Sequence, residues 1–388
     1  MALRSPPIYR LALNVAPRLH VRRYESYTLS QNEAQRQHTD LRIQQRAQDA
    51  QRPIQLHRLV TMQVTEQNRE RVLLHNAEQV INDLSVRLAR RLAAMRSLPY
   101  MVMLNPYVAH IYNIYYNSFR VLSSMECPKN LEENDRFVDI LEKLVESHSN
   151  TIPTLAKGFA ECEKYLDGAT IDEILTSHLT ARIGTRLLAE NHICLTHPIG
   201  DNWIGNVQKD VSPKDIIESC ALVVGELCNL EYGVAPDVIV EQPRPVTFAY
   251  CPNHLEYVCT ELLKNAFRAV AEQGSSPLPA VIVTIIPTGQ GVIIRFRDRG
   301  GGMGQELQEK IFKFSFTTFS KRQDSNGMDS NEVTGGSIAG LGYGLPLSRA
   351  YAEFFGGRLQ LQSYLGWGTD VYLTLKSPMI TGYVREVQ

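Results

Sequence analysis

Between residues 77 and 98 the apolar positions Val80, Ile81, Leu84, Leu88, Leu92 and Met95 recur in steps of three and four, and Leu98-Pro99 closes the run. This spacing predicts one amphipathic helix. Asn105-Pro106 then supplies an N-cap followed by proline at the first helical position, where its missing N–H costs nothing. Val108, Ile111, Tyr115 and Leu122 share the face that follows. Phe137, Ile140, Leu141 and Leu144 mark a third helix. A Thr170-x-x-Glu173 capping box before Ile174, Leu175, Leu179 and Leu187 predicts a fourth. Long helices with short connections predict an up-down four-helix bundle, assigned to 71–200 and preceded by a polar lead-in over 25–70.

Past residue 205 the pattern changes, because short β-branched runs now alternate with helical stretches. Helices are predicted over 213–231, 253–273 and 345–355, and short strands over 237–240 and 245–250. Val281–Ile286 and Val292–Arg297 flank Thr288-Gly289-Gln290-Gly291, a hairpin signal. Leu359–Tyr364 and Asp370–Leu375 alternate across Gly366-Trp367-Gly368. The expected fold is α + α/β: the helical bundle, then an α/β sandwich over 205–380 with a mixed sheet and helices on one face.

Composition narrows the partners. The 388 residues carry 40 Lys plus Arg against 41 Asp plus Glu, so no global field favours nucleic acid or an anionic membrane. Seven cysteines form no CxxC pair, which suits a reducing compartment. No apolar run is long enough for a membrane span. The first 24 residues carry Arg4, Arg10, Arg18, Arg22 and Arg23 and no acid, the composition of a mitochondrial presequence cleaved near Tyr24.

Three polar elements interrupt the second half. Glu261, Lys264, Asn265 and Arg268 form a stripe on an otherwise apolar helix, with Glu261 and Asn265 on one face. An amide oxygen suits Mg²⁺, a lysine balances phosphate charge, and a carboxylate one turn away can deprotonate a hydroxyl. The same stripe also suits a solvated helix face. Asp298 ends a strand and is followed by Arg299-Gly300-Gly301-Gly302, which suits either a tight turn or the close passage of backbone beside a flat ligand. Gly340-Leu341-Gly342-Tyr343-Gly344-Leu345 opens onto a helix, presenting N–H donors to phosphate. The polar stretch between Phe319 and Ala339 (319–339) is long for a connector inside a compact domain and suits either a mobile lid or an unstructured insert. No G-x-x-x-x-G-K-[ST] is present, and the H-R-D and D-F-G elements are absent too.

The order of these elements on helix, strand and loop, with Gly368-Thr369-Asp370 between the last strands, resembles the GHKL (Bergerat) ATP pocket. Together with Leu98-Pro99-Tyr100, Glu146-Ser147-His148-x-Asn150 and Arg182-Ile183-Gly184-x-Arg186, they resemble the mitochondrial protein kinases of 2-oxoacid dehydrogenase complexes. The likeness spans about 80–376 and is nearest to the short fungal pyruvate dehydrogenase kinases.

The resemblance implies Glu261 as general base, Asn265 as Mg²⁺ ligand and Asp298 as adenine anchor. Lys264, Arg268, Gly300 and Gly302 join the ATP site. Thr317 and Thr318 would line the ribose and phosphates, Gly340, Leu341, Gly342, Tyr343, Gly344 and Leu345 the lid's phosphate edge, and Thr369 would assist at adenine through water. Implied cofactors are ATP and Mg²⁺, with K⁺ as a family companion. Implied partners are the E1α subunit of the pyruvate or branched-chain 2-oxoacid dehydrogenase, the lipoyl domain of the E2 acyltransferase, and a second copy of the chain, in the mitochondrial matrix.

Two departures stand out. Tyr257 occupies the position where animal pyruvate dehydrogenase kinases place a histidine, one turn before the base. The chain also ends soon after the last strand, so an exchange of long C-terminal arms is not expected. His148 matches a family histidine, although a buried, satisfied helix histidine is the simpler reading. An ATP-binding adaptor without a protein substrate is the alternative from another class.

Overall fold

The computed structural model describes residues 36–62, 64–314 and 343–381. The first part is helical. Helix α1 covers 36–48, followed by α2 (Leu56–Val60), α3 (Arg69–Arg96), α4 (Tyr100–Met103), α5 (Pro106–Ser124), α6 (Leu131–Ser147), α7 (Thr151–Glu161) and α8 (Gly168–Thr196). The long helices α3, α5, α6 and α8 pack on one another. Their apolar stripes meet in a core that includes Leu84, Leu92, Met95, Phe119 and Phe137. Each such side chain contributes about 1.5–3 kcal/mol when fully buried.

The caps follow local chemistry. Asn105 Oδ1 accepts from the N–H groups of Tyr107 and Val108 ahead of Pro106. Helix α8 starts three residues earlier than the expected capping box. Asp167 is its N-cap, and its carboxylate accepts both the N–H and the hydroxyl of Thr170. Thr170 therefore lies inside the first turn, because a carboxylate three residues back is the stronger acceptor. Helix α7 was not marked by the apolar spacing.

The polar composition of 25–70 conceals buried residues. Ile43 of α1 belongs to the first core, whereas Leu56, Leu59 and Val60 of α2 belong to a second one. The described helices of this segment, α1 and α2, therefore lie against different cores.

The second core lies under a five-stranded mixed sheet. Its strands are β3 (Val238–Glu241), β5 (Val281–Thr288), β6 (Gly291–Asp298), β7 (Arg358–Tyr364) and β8 (Gly368–Lys376), in the order β3-β5-β6-β8-β7. Only the β3–β5 pair is parallel. Val281, Val283, Ile285, Val292, Ile294, Phe296, Val371, Leu373 and Leu375 alternate along the strands and face the core. Helices α9 (Pro213–Tyr232), α10 (Pro252–Gln273) and α12 (Gly344–Phe354) pack against one another and the sheet; the short α11 spans Gln305–Lys310.

A second sheet was not anticipated in full. It joins β1 (Trp203–Ile204), β2 (Val207–Val211), β4 (Thr247–Tyr250) and β9 (Ile380–Thr381) in the order β1-β2-β4-β9. Its strands are short and half polar, so their pairing depends on partners distant in sequence. In the large sheet, Asp298 at the end of β6 stands opposite Thr369 at the start of β8.

Candidate active site

Helix α10 is the spine of the site. Leu255, Val258, Leu262, Leu263 and Ala266 face the core, which leaves Glu261, Lys264, Asn265 and Arg268 off the buried face. Glu261 and Lys264 are 18% and 15% exposed and form an ion pair with Oε1 and Nζ 3.1 Å apart. Arg268 instead pairs along the helix with Glu272 at 2.9 Å. Asn265 is exposed, and its amide has no partner among the described residues.

Two loops meet this helix at different heights. A Cβ on Gly344 would stand 2.1 Å from Glu261 Oε2, so the start of α12 lies directly on the carboxylate. Gly300 packs on Ala269, where a Cβ would come within 2.7 Å of the alanine Cβ. Glu261 and Ala269 are eight residues apart, about 12 Å along a helix. A carboxylate and a glycine loop thus stand at two levels of one surface.

Asp298 is 7% exposed. Its Oδ1 accepts the N–H groups of Gly300 at 2.9 Å and Thr369 at 3.2 Å. Its Oδ2 has no partner among the described residues. Burial pushes the carboxyl up to about 6, against the lowering effect of the two backbone donors. An acceptor oriented through one oxygen and left open at the other suits a donor on a ligand, as the exocyclic amine of adenine provides.

The glycine loop is clamped from the far side by residues that the motifs did not mark. Ser363 Oγ accepts from Met303 N–H at 2.8 Å and bonds Thr369 Oγ1 at 2.9 Å. Gln308 Nε2 donates to the carbonyls of Met303 and Ser363 at 3.0 and 2.8 Å. Gly302 has φ +66°, and a Cβ there would lie 2.0 Å from the Tyr364 carbonyl oxygen. Ser363 was legible as a polar residue at an inward position of β7, where an apolar one is usual.

Gly344, Tyr343 and Leu345 also come to this edge. Leu345 packs on the second core, and the Tyr343 ring stacks on Phe314 with centroids 5.9 Å apart. Tyr257, one turn before Glu261, packs on Tyr351 at 5.1 Å. Its phenol is held well above its usual range by burial and the Glu261 charge. Thr317, Thr318, Gly340, Leu341 and Gly342 lie outside the described residues, as does the lid assigned to 319–339.

Among the described residues no group of three or more His, Cys, Asp or Glu is placed to hold a metal. The exposed amide of Asn265, beside the Glu261–Lys264 pair, fits Mg²⁺ that takes its other ligands from phosphates and water. Seven side-chain atoms, among them Arg87 Nε, Arg91 Nη2 and Arg349 Nε, are buried without a partner among the described residues.

Helix, strand-end carboxylate and glycine loop in this order define an ATP-binding module of the GHKL class. Residues 251–379 match the family described as histidine kinase-, DNA gyrase B-, and HSP90-like ATPase. Residues 53–208 match the family described as mitochondrial branched-chain alpha-ketoacid dehydrogenase kinase. Mitochondrial pyruvate dehydrogenase (acetyl-transferring) kinase 1 of Saccharomyces cerevisiae is 31% identical over 317 residues, 79% of this chain and 80% of its own. The Arabidopsis thaliana mitochondrial pyruvate dehydrogenase kinase is 31% identical over 316 residues, 79% of this chain and 86% of its own. Human isozyme 3 is 30% identical over 316 residues, 76% of each chain. The chain belongs to the mitochondrial 2-oxoacid dehydrogenase kinase family, with the pyruvate dehydrogenase kinases, and is a protein kinase.

Proposed function

We propose that the chain transfers the γ-phosphate of Mg·ATP to a serine of the E1α subunit of the pyruvate dehydrogenase complex in the mitochondrial matrix, lowering flux through it. The observation that carries this reading is the shared surface of α10, with the open Asp298 Oδ2 at one level and Glu261 at the other. ATP laid along it would set adenine at Asp298, with Thr369 and Gly300 holding the carboxylate in place, and phosphates toward Asn265 and Lys264. Gly302 shapes the loop, and Thr317, Thr318 and Gly340 to Leu345 would close over the ribose and phosphates. Arg268, engaged by Glu272, stands at the edge of this site.

Glu261 accepts the proton of the serine hydroxyl as its oxygen attacks γ-phosphorus, the bond to the β-phosphate oxygen breaks, and ADP leaves. Asn265 would hold Mg²⁺, which would neutralise charge on the phosphate oxygens when bound, and K⁺ would be a further counterion. Lys264, paired with Glu261 in the free chain, would balance phosphate charge when ATP is bound. Positioning and charge carry most of such catalysis.

We assign 1–24 to the presequence, 25–70 to the lead-in, 71–200 to a four-helix bundle that docks the E2 lipoyl domain, and 205–380 to the kinase domain. The working form is a homodimer. The branched-chain complex is the second substrate reading, supported by the family description matched over 53–208.

The test is incubation of the purified protein with Mg·ATP and each E1 heterotetramer, with phosphoserine read by mass spectrometry. Phosphate on the pyruvate dehydrogenase E1α supports the first reading, and phosphate only on the branched-chain E1α the second. ATP turnover with neither labelled would replace both by the adaptor reading.

A further inference from the structure

A groove between α3, α8 and α12 is lined by Arg87, Arg90 and Arg91 of α3, by Thr180 of α8 and by Arg349 of α12. It lies on the face of α12 opposite the one that Gly344 presents to Glu261. Arg87 and Arg91, one turn apart, are only 4% and 6% exposed. Arg87 Nη2 donates to the Arg52 carbonyl at 2.7 Å. Arg91 Nη1 donates to the His178 carbonyl at 2.6 Å, and its guanidinium lies over the Tyr115 ring. Those partners are neutral.

Among the described residues no carboxylate forms an ion pair with Arg87, Arg90, Arg91 or Arg349. Arg87 Nε, Arg91 Nη2 and Arg349 Nε are buried with no acceptor among those residues. Asp83 acts on Arg87 as an opposite charge without forming an ion pair with it, and burial raises its own carboxyl. Glu353 is the one acid among the described residues of the groove wall, and it is exposed. Gly184 of α8 makes room for the buried charge, since a Cβ there would come within 2.9 Å of Arg87 Nη1. Buried guanidinium groups without an ion-paired carboxylate are costly, and an anion bound in the groove would offset that cost.

We propose that this groove binds a phosphate group, free or as a monoester, through Arg87, Arg90, Arg91 and Arg349. Several guanidinium forks and the Thr180 hydroxyl match a dianion with oxygens in several directions better than a single carboxylate. The occupant would join the helical region to α12, and through Gly344 to the edge of the catalytic carboxylate. The site stands independently of the kinase reading.

The test uses the full chain saturated with magnesium and a non-hydrolysable ATP analogue, so that the nucleotide pocket is already filled. Sodium phosphate is titrated at constant ionic strength against sodium chloride while the unfolding temperature is followed. A saturable rise is expected with phosphate alone. Arg90→Gln and Arg349→Met, whose side chains line the groove but not the neighbouring cavity around Tyr115 and His148, should each weaken half-saturation about tenfold, the value of one charge-assisted hydrogen bond. Arg90 is exposed, so its replacement does not put the fold at risk. A phosphoserine peptide that displaces phosphate, where its unphosphorylated form does not, would identify the monoester as the occupant; failure to displace identifies free phosphate. No saturable rise beyond chloride, or half-saturation unchanged in both variants, overturns the proposal.

Discussion

Gly344 and Glu261 share one small volume: a methyl group on the glycine would lie 2.1 Å from Glu261 Oε2. The atom it would meet is the free end of a flexible side chain, so the carboxylate can move away at little cost. Gly344→Ala should therefore change stability by less than about 1 kcal/mol. If Glu261 is the base, as proposed, displacing it by about 1 Å should still cost about 100-fold in rate. Thermal unfolding together with initial rates of phosphate transfer checks this; a large loss of stability with normal activity would contradict it.

Glu261→Gln preserves shape and removes the carboxylate proposed as proton acceptor. Transfer should fall by about 100-fold or more, with ATP affinity retained because Asp298 and the glycine loop are untouched. Calorimetric ATP titration beside single-turnover phosphorylation separates the two. Transfer within about tenfold of the parent would move the base elsewhere.

Asp298→Asn tests the open oxygen. The amide oxygen can keep both backbone donors, while an N–H₂ group replaces Oδ2 and faces the adenine amine donor to donor. Adenosine binding should be lost. Stability should move the other way. The folded carboxyl titrates at about 6, above its ordinary value of 3.8. Its favourable contribution is therefore complete below about 4 and lost as pH rises through about 6. At pH 8 the asparagine variant should be more stable by about 3 kcal/mol, with the difference shrinking toward pH 4. Chemical denaturation across that range reads the trend, and a difference that grows toward acid would refute it. Wild-type affinity for adenosine should also fall as pH drops below about 6.

Ser363→Ala should weaken the loop from behind. It leaves the Met303 N–H without its side-chain acceptor and the Thr369 hydroxyl without its neighbour. The expected cost is about 1–3 kcal/mol, with nucleotide affinity falling because Thr369 N–H also orients Asp298. Ser363→Thr should recover most of both if the hydroxyl is what matters.

Much of the site was legible because its parts are local. Glu261 and Asn265 share a face through helical periodicity alone, Asn105-Pro106 marks a helix start within three residues, and Thr288 to Gly291 announces its hairpin. Position 167 was overlooked because Thr170 and Glu173 imitate a cap that Asp167 provides more strongly. Ser363 and Gln308 were missed because their partners, Met303 and the Ser363 carbonyl, are about 55–60 residues away in the chain.

Sequence by itself determined the elements, the nucleotide-type motifs and the resemblance to a kinase family, since helical and strand periodicity and glycine conformation are encoded within a few residues. Tertiary structure decided which oxygen of Asp298 stays open, that Gly344 rests on Glu261, and that Arg268 turns to Glu272. It also placed α1 and α2 against different cores and enclosed Arg87 and Arg91 with no ion-paired carboxylate among the described residues. Those outcomes depend on which surfaces meet when α10, the sheet ends and α12 pack, and packing is a property of the whole chain.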